Sequence, residues 1–121
     1  MRLILAVLAA ALGALSGAAS ASAEARASRL LATVGPGSKI TVTDARGQKI
    51  TTIKSGIYAI LVRDRSSREN FHLIQPDPLL VNKTGLRYVG TATWHIRLQR
   101  GVYRYVSDAQ PSKVRGSFRV I

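Results

Sequence analysis

The chain has 121 residues, enough for one domain, and its 18 lysines and arginines against 6 acidic residues give a net charge of +12. It contains no cysteine, which excludes disulfides and thiolate chemistry. The positive charge favours anionic partners such as acidic proteins, phospholipid head groups, wall polymers or nucleic acid.

Residues 1–23 predict a cleaved secretory signal peptide. Met1-Arg2 gives a positive start, Leu3–Leu15 is apolar, and small residues lead to the cleavage pattern Ala21-Ser22-Ala23. The apolar run is shorter than the roughly 20 residues of a membrane-spanning helix, although an uncleaved anchor is the alternative. We therefore expect a secreted or periplasmic protein, cleaved near Ala23, with no transmembrane segment afterwards and no nucleic-acid target.

The rest of the chain predicts a loose lead-in followed by one all-β domain. Residues 24–36 are rich in alanine and arginine and are expected to form the lead-in. In residues 37–121, turn signals alternate with short runs rich in Ile, Val, Thr and Tyr, a pattern typical of a β-sandwich or barrel. About seven strands are predicted, at residues 39–43, 49–54, 57–64, 70–74, 92–98, 102–107 and 117–121.

Side-chain alternation assigns faces to these strands. Trp94 points to the core face and His95 to the opposite face, where we expect an exposed strand residue. Tyr103 and Tyr105 share one face and are expected in the core. Residues 57–62 are apolar on both faces, which predicts a central strand.

Four segments together resemble bacterial members of the cupredoxin, or plastocyanin-like, superfamily: SGIYAILVRD, NFHL, TATWHIRLQRGVYRYVSD and RGSFRVI. The resemblance covers about Gly37 to Ile121. It implies a Greek-key β-sandwich with copper at one end, between the loop near an early histidine and the loop joining the last two strands. In cupredoxins that end also docks redox partners.

The resemblance implies a degenerate copper site. It places the first histidine ligand on His72, the cysteine on Ser107, the second histidine on Gln110, and the methionine on Lys113 or Val114. Because type 1 copper needs a thiolate and two imidazoles, and the only methionine starts the chain, no blue-copper cofactor is expected. A weak copper site through His72, helped by Asp108 or completed by a partner chain, is the alternative.

A hydrolase is not expected, although Ser107, His72 and Asp108 match a catalytic triad by residue type. The base must contact both the nucleophile and the acid. Adjacent residues on a strand point to opposite faces, so Ser107 and Asp108 would diverge. No nucleophile-elbow motif is present either.

Four basic residues predict a docking surface at the former metal site. Lys113 and Arg115 lie beside the site in sequence, and Arg104 and Arg119 lie on the outward face of the last hairpin. The expected function is therefore a non-enzymatic binding or structural module that holds an anionic protein or envelope surface. An ordinary solvated basic face is the alternative.

Overall fold

The computed structural model describes residues 27–121, in which the regular elements are all β-strands. The expected signal peptide therefore lies outside the described residues. No helix in residues 27–121 is long and apolar enough to cross a membrane. The strands are β1 Ser28–Val34, β2 Ile40–Asp44, β3 Thr52–Ile53, β4 Gly56–Asp64, β5 His72–Ile74, β6 Val81–Lys83, β7 Gly90–Leu98, β8 Gly101–Val106 and β9 Arg115–Val120.

The strands form two sheets, and the first has four strands in the order β2-β1-β4-β7. Strand β4 lies inside this sheet, parallel to β1 and antiparallel to β7. Its Ile60 and Val62 are buried in the core, while Ala59 and Leu61 are half-buried on the outer face. The predicted central strand is confirmed, because apolar side chains on both faces suit a strand covered by neighbours on each side.

The second sheet has five strands in the order β3-β9-β8-β5-β6. Four aromatic residues of the core lie on or beside its inner face: Tyr103 stacks on Phe118 with ring centroids 5.3 Å apart, and Phe71 stacks on Tyr105 at 5.8 Å. Gly116 lies opposite Tyr105, and a Cβ there would lie 2.4 Å from the tyrosine ring. The close approach of the ring therefore requires glycine at this position.

The core lies between the two sheets, where burial alternates along most strands as their patterns predict. Trp94 packs against this core and His95 is exposed, as expected from alternation. The all-β sandwich predicted from the sequence is confirmed. Its buried apolar cluster consists of Leu30, Ala32, Val34, Val42, Ile50, Tyr58, Ile60, Val62, Phe71, Leu73, Leu98, Tyr103, Tyr105, Phe118 and Val120.

The prediction of a loose lead-in over residues 24–36 is wrong for Ser28–Val34, which forms β1 inside the first sheet. Leu30, Ala32 and Val34 are buried, and each residue of β1 pairs in register with β4. The alternation is hard to see in the sequence because the outward Leu31 is apolar and the inward Ala32 is small, with low strand propensity. The structure also adds β6, and it reduces the predicted strand over 49–54 to Thr52–Ile53.

Candidate functional site

Two loops meet at one end of the sandwich: residues 65–71, between β4 and β5, and residues 107–114, between β8 and β9. Asn70 joins them. Its buried side chain donates from Nδ2 to the Thr84 carbonyl and to Asp108 Oδ2, both at 2.9 Å, and Oδ1 accepts from the Asp108 amide at 2.7 Å. Its backbone N–H donates to Ser107 Oγ at 3.2 Å. One amide side chain therefore fixes the spacing of the two loops.

The buried carboxyl of Asp64 holds the start of the first loop. Its Oδ2 accepts from Thr84 Oγ1 at 2.6 Å, and its Oδ1 accepts from the Ser66 amide at 3.2 Å. Thr84 Oγ1 in turn accepts from the Phe71 amide at 2.9 Å. Burial raises the pKa of Asp64, and the hydrogen bonds from Thr84 and Ser66 oppose that rise.

A second side-chain contact between the loops joins Glu69 and Gln110. Gln110 Nε2 donates to Glu69 Oε1, and the Gln110 amide donates to the Ser107 carbonyl at 3.1 Å. Glu69 is only 3% exposed, and its Oε2 has no hydrogen-bond partner among the described residues. Val114 is buried, and its carbonyl accepts from the Ser107 amide at 2.9 Å. These contacts bring Ser107, Gln110 and Val114 together, as the sequence predicted, but with Glu69 beside them.

His72 does not join this cluster. Phe71 and Leu73 on either side of it are buried between the sheets, so His72 lies on the outer face of the five-stranded sheet. There its Nδ1 lies 2.9 Å from Asp108 Oδ1. The imidazole of His72 therefore contacts Asp108 on the outer face and lies apart from Ser107 and Gln110.

The contact with His72 also affects Asp108. Partial burial raises the pKa of the Asp108 carboxyl, but the hydrogen bonds from His72 and Asn70, with the charges of His72 and Lys83, outweigh burial and lower the pKa. The carboxylate is thus stabilised in its charged form, which is the form that accepts both hydrogen bonds.

Ser107, His72 and Asp108 are not arranged as a triad. Ser107 is fully buried, and its Oγ accepts from the Asn70 amide rather than facing the imidazole. His72 and Asp108 contact each other on the outer face. The acid–base contact of a triad is present, but its base–nucleophile contact does not occur among residues 27–121.

The predicted basic residues lie around a groove on the outer face of the five-stranded sheet. Arg104 and Arg115 line this groove, which has a volume of about 300 Å³ and extends to His72 and Asp108. Lys113 is exposed in the neighbouring loop, and Arg119 is exposed further along β9. The structure therefore places Arg104 and Arg115 together, with Lys113 beside them and Arg119 outside the groove.

Little acidic charge is available to neutralise these cations. The one ion pair among residues 27–121 is His72–Asp108, so no lysine or arginine of that part of the chain pairs with a carboxylate. Asp64 and Glu69 are buried, and Asp44 and Asp77 accept backbone amides of their own turns. Asp108 lines the groove, where its charge interacts with that of Lys83, so most but not all of the positive charge of the described surface is uncompensated.

The donors in the cluster do not fit the copper that this fold implies. A type 1 centre needs a thiolate, two imidazoles and a weak axial ligand such as a thioether. The cluster offers a carboxylate at Glu69, a hydroxyl at Ser107, an amide at Gln110 and no donor side chain at Val114. The described residues contain no group of three or more His, Cys, Asp or Glu side chains placed to hold a metal ion.

Sequence reasoning missed Glu69 and Asn70, and one available signal could have found them. Phe71 and Leu73 are apolar, so alternation predicts that both point inward and that His72 between them points outward. An inward-facing site must then draw on the residues before Phe71, which are Glu69 and Asn70. His72 was assigned as the ligand because the segment NFHL was compared by residue type, without regard to the face of the strand on which each side chain lies.

The chain is similar to known proteins in its three-dimensional structure. No family model and no curated protein matches the sequence. A structure of rusticyanin from Thiobacillus ferrooxidans is 18% identical, with 77% of this chain and 76% of that chain covered and a TM-score of 0.50. A rusticyanin variant, also 18% identical, covers the same shares with a TM-score of 0.53. An amicyanin variant is 17% identical, with 82% and 88% covered and a TM-score of 0.52.

Rusticyanin and amicyanin are blue-copper cupredoxins. Their structures match most of this chain, although fewer than one residue in five is identical. The chain therefore has the cupredoxin fold, and the resemblance stated from its sequence motifs is confirmed at the level of the fold.

Proposed function

We propose that this protein is an exported, non-enzymatic cupredoxin-like module that holds an anionic partner and carries no type 1 copper. The observation that carries the proposal is the cluster at the end of the sandwich. There the Glu69–Gln110 and Asn70–Ser107 hydrogen bonds occupy the region between the two loops. Oxygen and amide groups at these positions support a structural closure of the site and not an electron carrier.

The basic groove supports the binding half of the proposal. Arg104 and Arg115 lie across neighbouring strands and have no carboxylate partner in the described part of the chain. Unpaired guanidinium groups bind carboxylates and phosphates through two parallel hydrogen bonds. An anionic protein or envelope surface would therefore find this face already arranged, with the exposed Lys113 beside it.

The copper half is tested by adding copper(II) to the purified chain and recording its absorption spectrum with a metal assay. We expect no intense absorption band at about 600 nm, because that band arises from a thiolate bound to copper. An intense band there would overturn the proposal. The alternative is an altered or partner-completed copper site through His72, which the neighbouring Asp108 carboxylate favours. Colourless stoichiometric binding that disappears in His72→Ala would support that alternative.

The binding half is tested by charge reversal on one face. A chain with Lys113→Glu and Arg115→Glu is compared with a chain carrying Arg63→Glu and Arg97→Glu, which are exposed on the other sheet. Both double variants change the net charge equally. We expect retention on an anionic resin to fall more in the first chain. Equal retention of the two chains would contradict the assignment of the docking surface.

A further inference from the structure

The turn between β5 and β6 exposes three consecutive large apolar side chains. Leu79 is 87% exposed, Leu80 49% and Val81 61%. Two hydrogen bonds to Asp77 shape the turn: the Leu80 amide donates to the Asp77 carbonyl at 3.2 Å, and the Leu79 amide donates to Asp77 Oδ1 at 3.0 Å. We call Leu79, Leu80 and Val81 the apolar tip. A contiguous exposed apolar patch of this kind marks an interaction site more often than isolated surface leucines do.

The apolar tip continues into the basic outer face of the five-stranded sheet. Val81 pairs with Ile74, and Ile74 pairs with Arg104 in the next strand. In the adjacent row, Lys83 pairs with His72, which pairs with Val106, which pairs with Arg115. Paired residues lie on the same face of a sheet. One face therefore has the apolar tip at its edge and a group of basic residues beside it, with Asp108 as the one acidic residue that lines the groove.

We propose that this face binds the surface of an anionic phospholipid bilayer. The inference rests on the proposed function and names its partner. Leu79 and Leu80 would enter the boundary between head groups and acyl chains, while Arg104, Arg115 and Lys83 contact lipid phosphates.

The combination of charge and apolar side chains favours a membrane over a polyanion. A soluble polyanion would need only the cations and would leave Leu79 and Leu80 exposed to water. A bilayer offers phosphate and hydrocarbon close together, which matches a face that carries Arg104 on β8 and, with β5 between them, Val81 of the apolar tip on β6.

The test uses the chain from Glu24, because residues 27–121 contain both sheets and the apolar leader would itself bind lipid. The protein is sedimented with vesicles of phosphatidylcholine mixed with phosphatidylglycerol, and with vesicles of phosphatidylcholine alone. We expect binding to the anionic vesicles that weakens with added salt, because surface charges are screened. Sedimentation with neutral vesicles should be weaker.

Matched variants separate the two contributions. A chain with Leu79→Ser and Leu80→Ser should bind the anionic vesicles about tenfold more weakly or worse, and Arg104→Gln should weaken binding about fivefold. The control chain carries Leu86→Ser and Val89→Ser, which are 45% and 59% exposed but lie near the opposite end of β6. It should bind like the unaltered chain. Circular dichroism of each variant verifies the fold.

Absence of binding to anionic vesicles would overturn the inference, and so would equal binding by the apolar-tip variant and its control. In either case the resin experiment with Lys113 and Arg115 still reports on the proposed function. If charge reversal there reduces retention, the basic docking surface stands and only the lipid partner fails. If it does not, the proposed function fails as well.

Discussion

Replacing Asn70 with alanine should destabilise the protein more than the loss of one ordinary hydrogen bond. The side chain is 1% exposed and makes three hydrogen bonds of 2.7–2.9 Å, two to the amide and carboxylate of Asp108 in the other loop and one to the Thr84 carbonyl just after β6. Each such bond contributes about 1 kcal/mol net, and a buried group left without a partner costs more. The expected loss for Asn70→Ala is therefore about 3–4 kcal/mol.

Urea and thermal unfolding, followed by circular dichroism and by the fluorescence of the single tryptophan, would measure this loss. For a domain of about 100 residues, each kcal/mol lowers the midpoint temperature by about 4–8 °C. The Asn70→Ala variant should then unfold at least about 12 °C below the unaltered chain. The slope of the urea transition should stay the same, because the variant removes contacts without changing the surface exposed on unfolding.

Asn82→Ala is the matched control. Asn82 is half-buried, and its side chain accepts one hydrogen bond, from Gln75 Nε2 at 2.6 Å. Its loss should cost about 1 kcal/mol. If Asn70→Ala and Asn82→Ala destabilised the protein equally, Asn70 would not be the bridge between the two loops.

Three further predictions follow from the same end of the sandwich and its supporting sheet. The chain should bind copper with an intense absorption band at about 600 nm when its cluster is converted to type 1 ligands. The conversion consists of four substitutions: Glu69→His, Ser107→Cys, Gln110→His and Val114→Met. The same chain with Glu69 unchanged should stay colourless despite keeping His72, and a blue colour there would restore His72 as the ligand position. Gly116→Ala should cost about 2 kcal/mol in urea unfolding, since its Cβ would overlap the tyrosine ring opposite; Gly85→Ala, where the nearest atom would be 3.7 Å away, is the control, and an equal cost would contradict the packing argument. Folding lowers the pKa of Asp108, so its stabilisation is present above the pKa of the unfolded chain and is lost as the pH falls through the folded pKa. Asp108→Asn should therefore lose less stability than the unaltered chain on acidification below about pH 4, and parallel stability–pH curves would refute this.

Several properties of the protein depend on the sequence alone. The chain has no cysteine, and its only methionine is Met1, so no alignment or loop conformation can assemble a type 1 copper centre. Strand alternation also assigned Trp94 inward, His95 outward and Tyr103 and Tyr105 to the core. The inventory of donor atoms follows from composition alone, and the assignment of faces succeeded because a half-buried strand has a period of two residues.

The tertiary structure decided which residues meet. Ser28–Val34 becomes a strand because β4 offers it a parallel partner and a core to cover, and neither is visible in its local sequence. Glu69 reaches Gln110, 41 positions further along the chain, only because the sandwich brings two loops to the same end. Local sequence specifies the face of a strand, whereas contacts between distant loops depend on how the sheets pack, so the composition of the site could not be predicted from its motif.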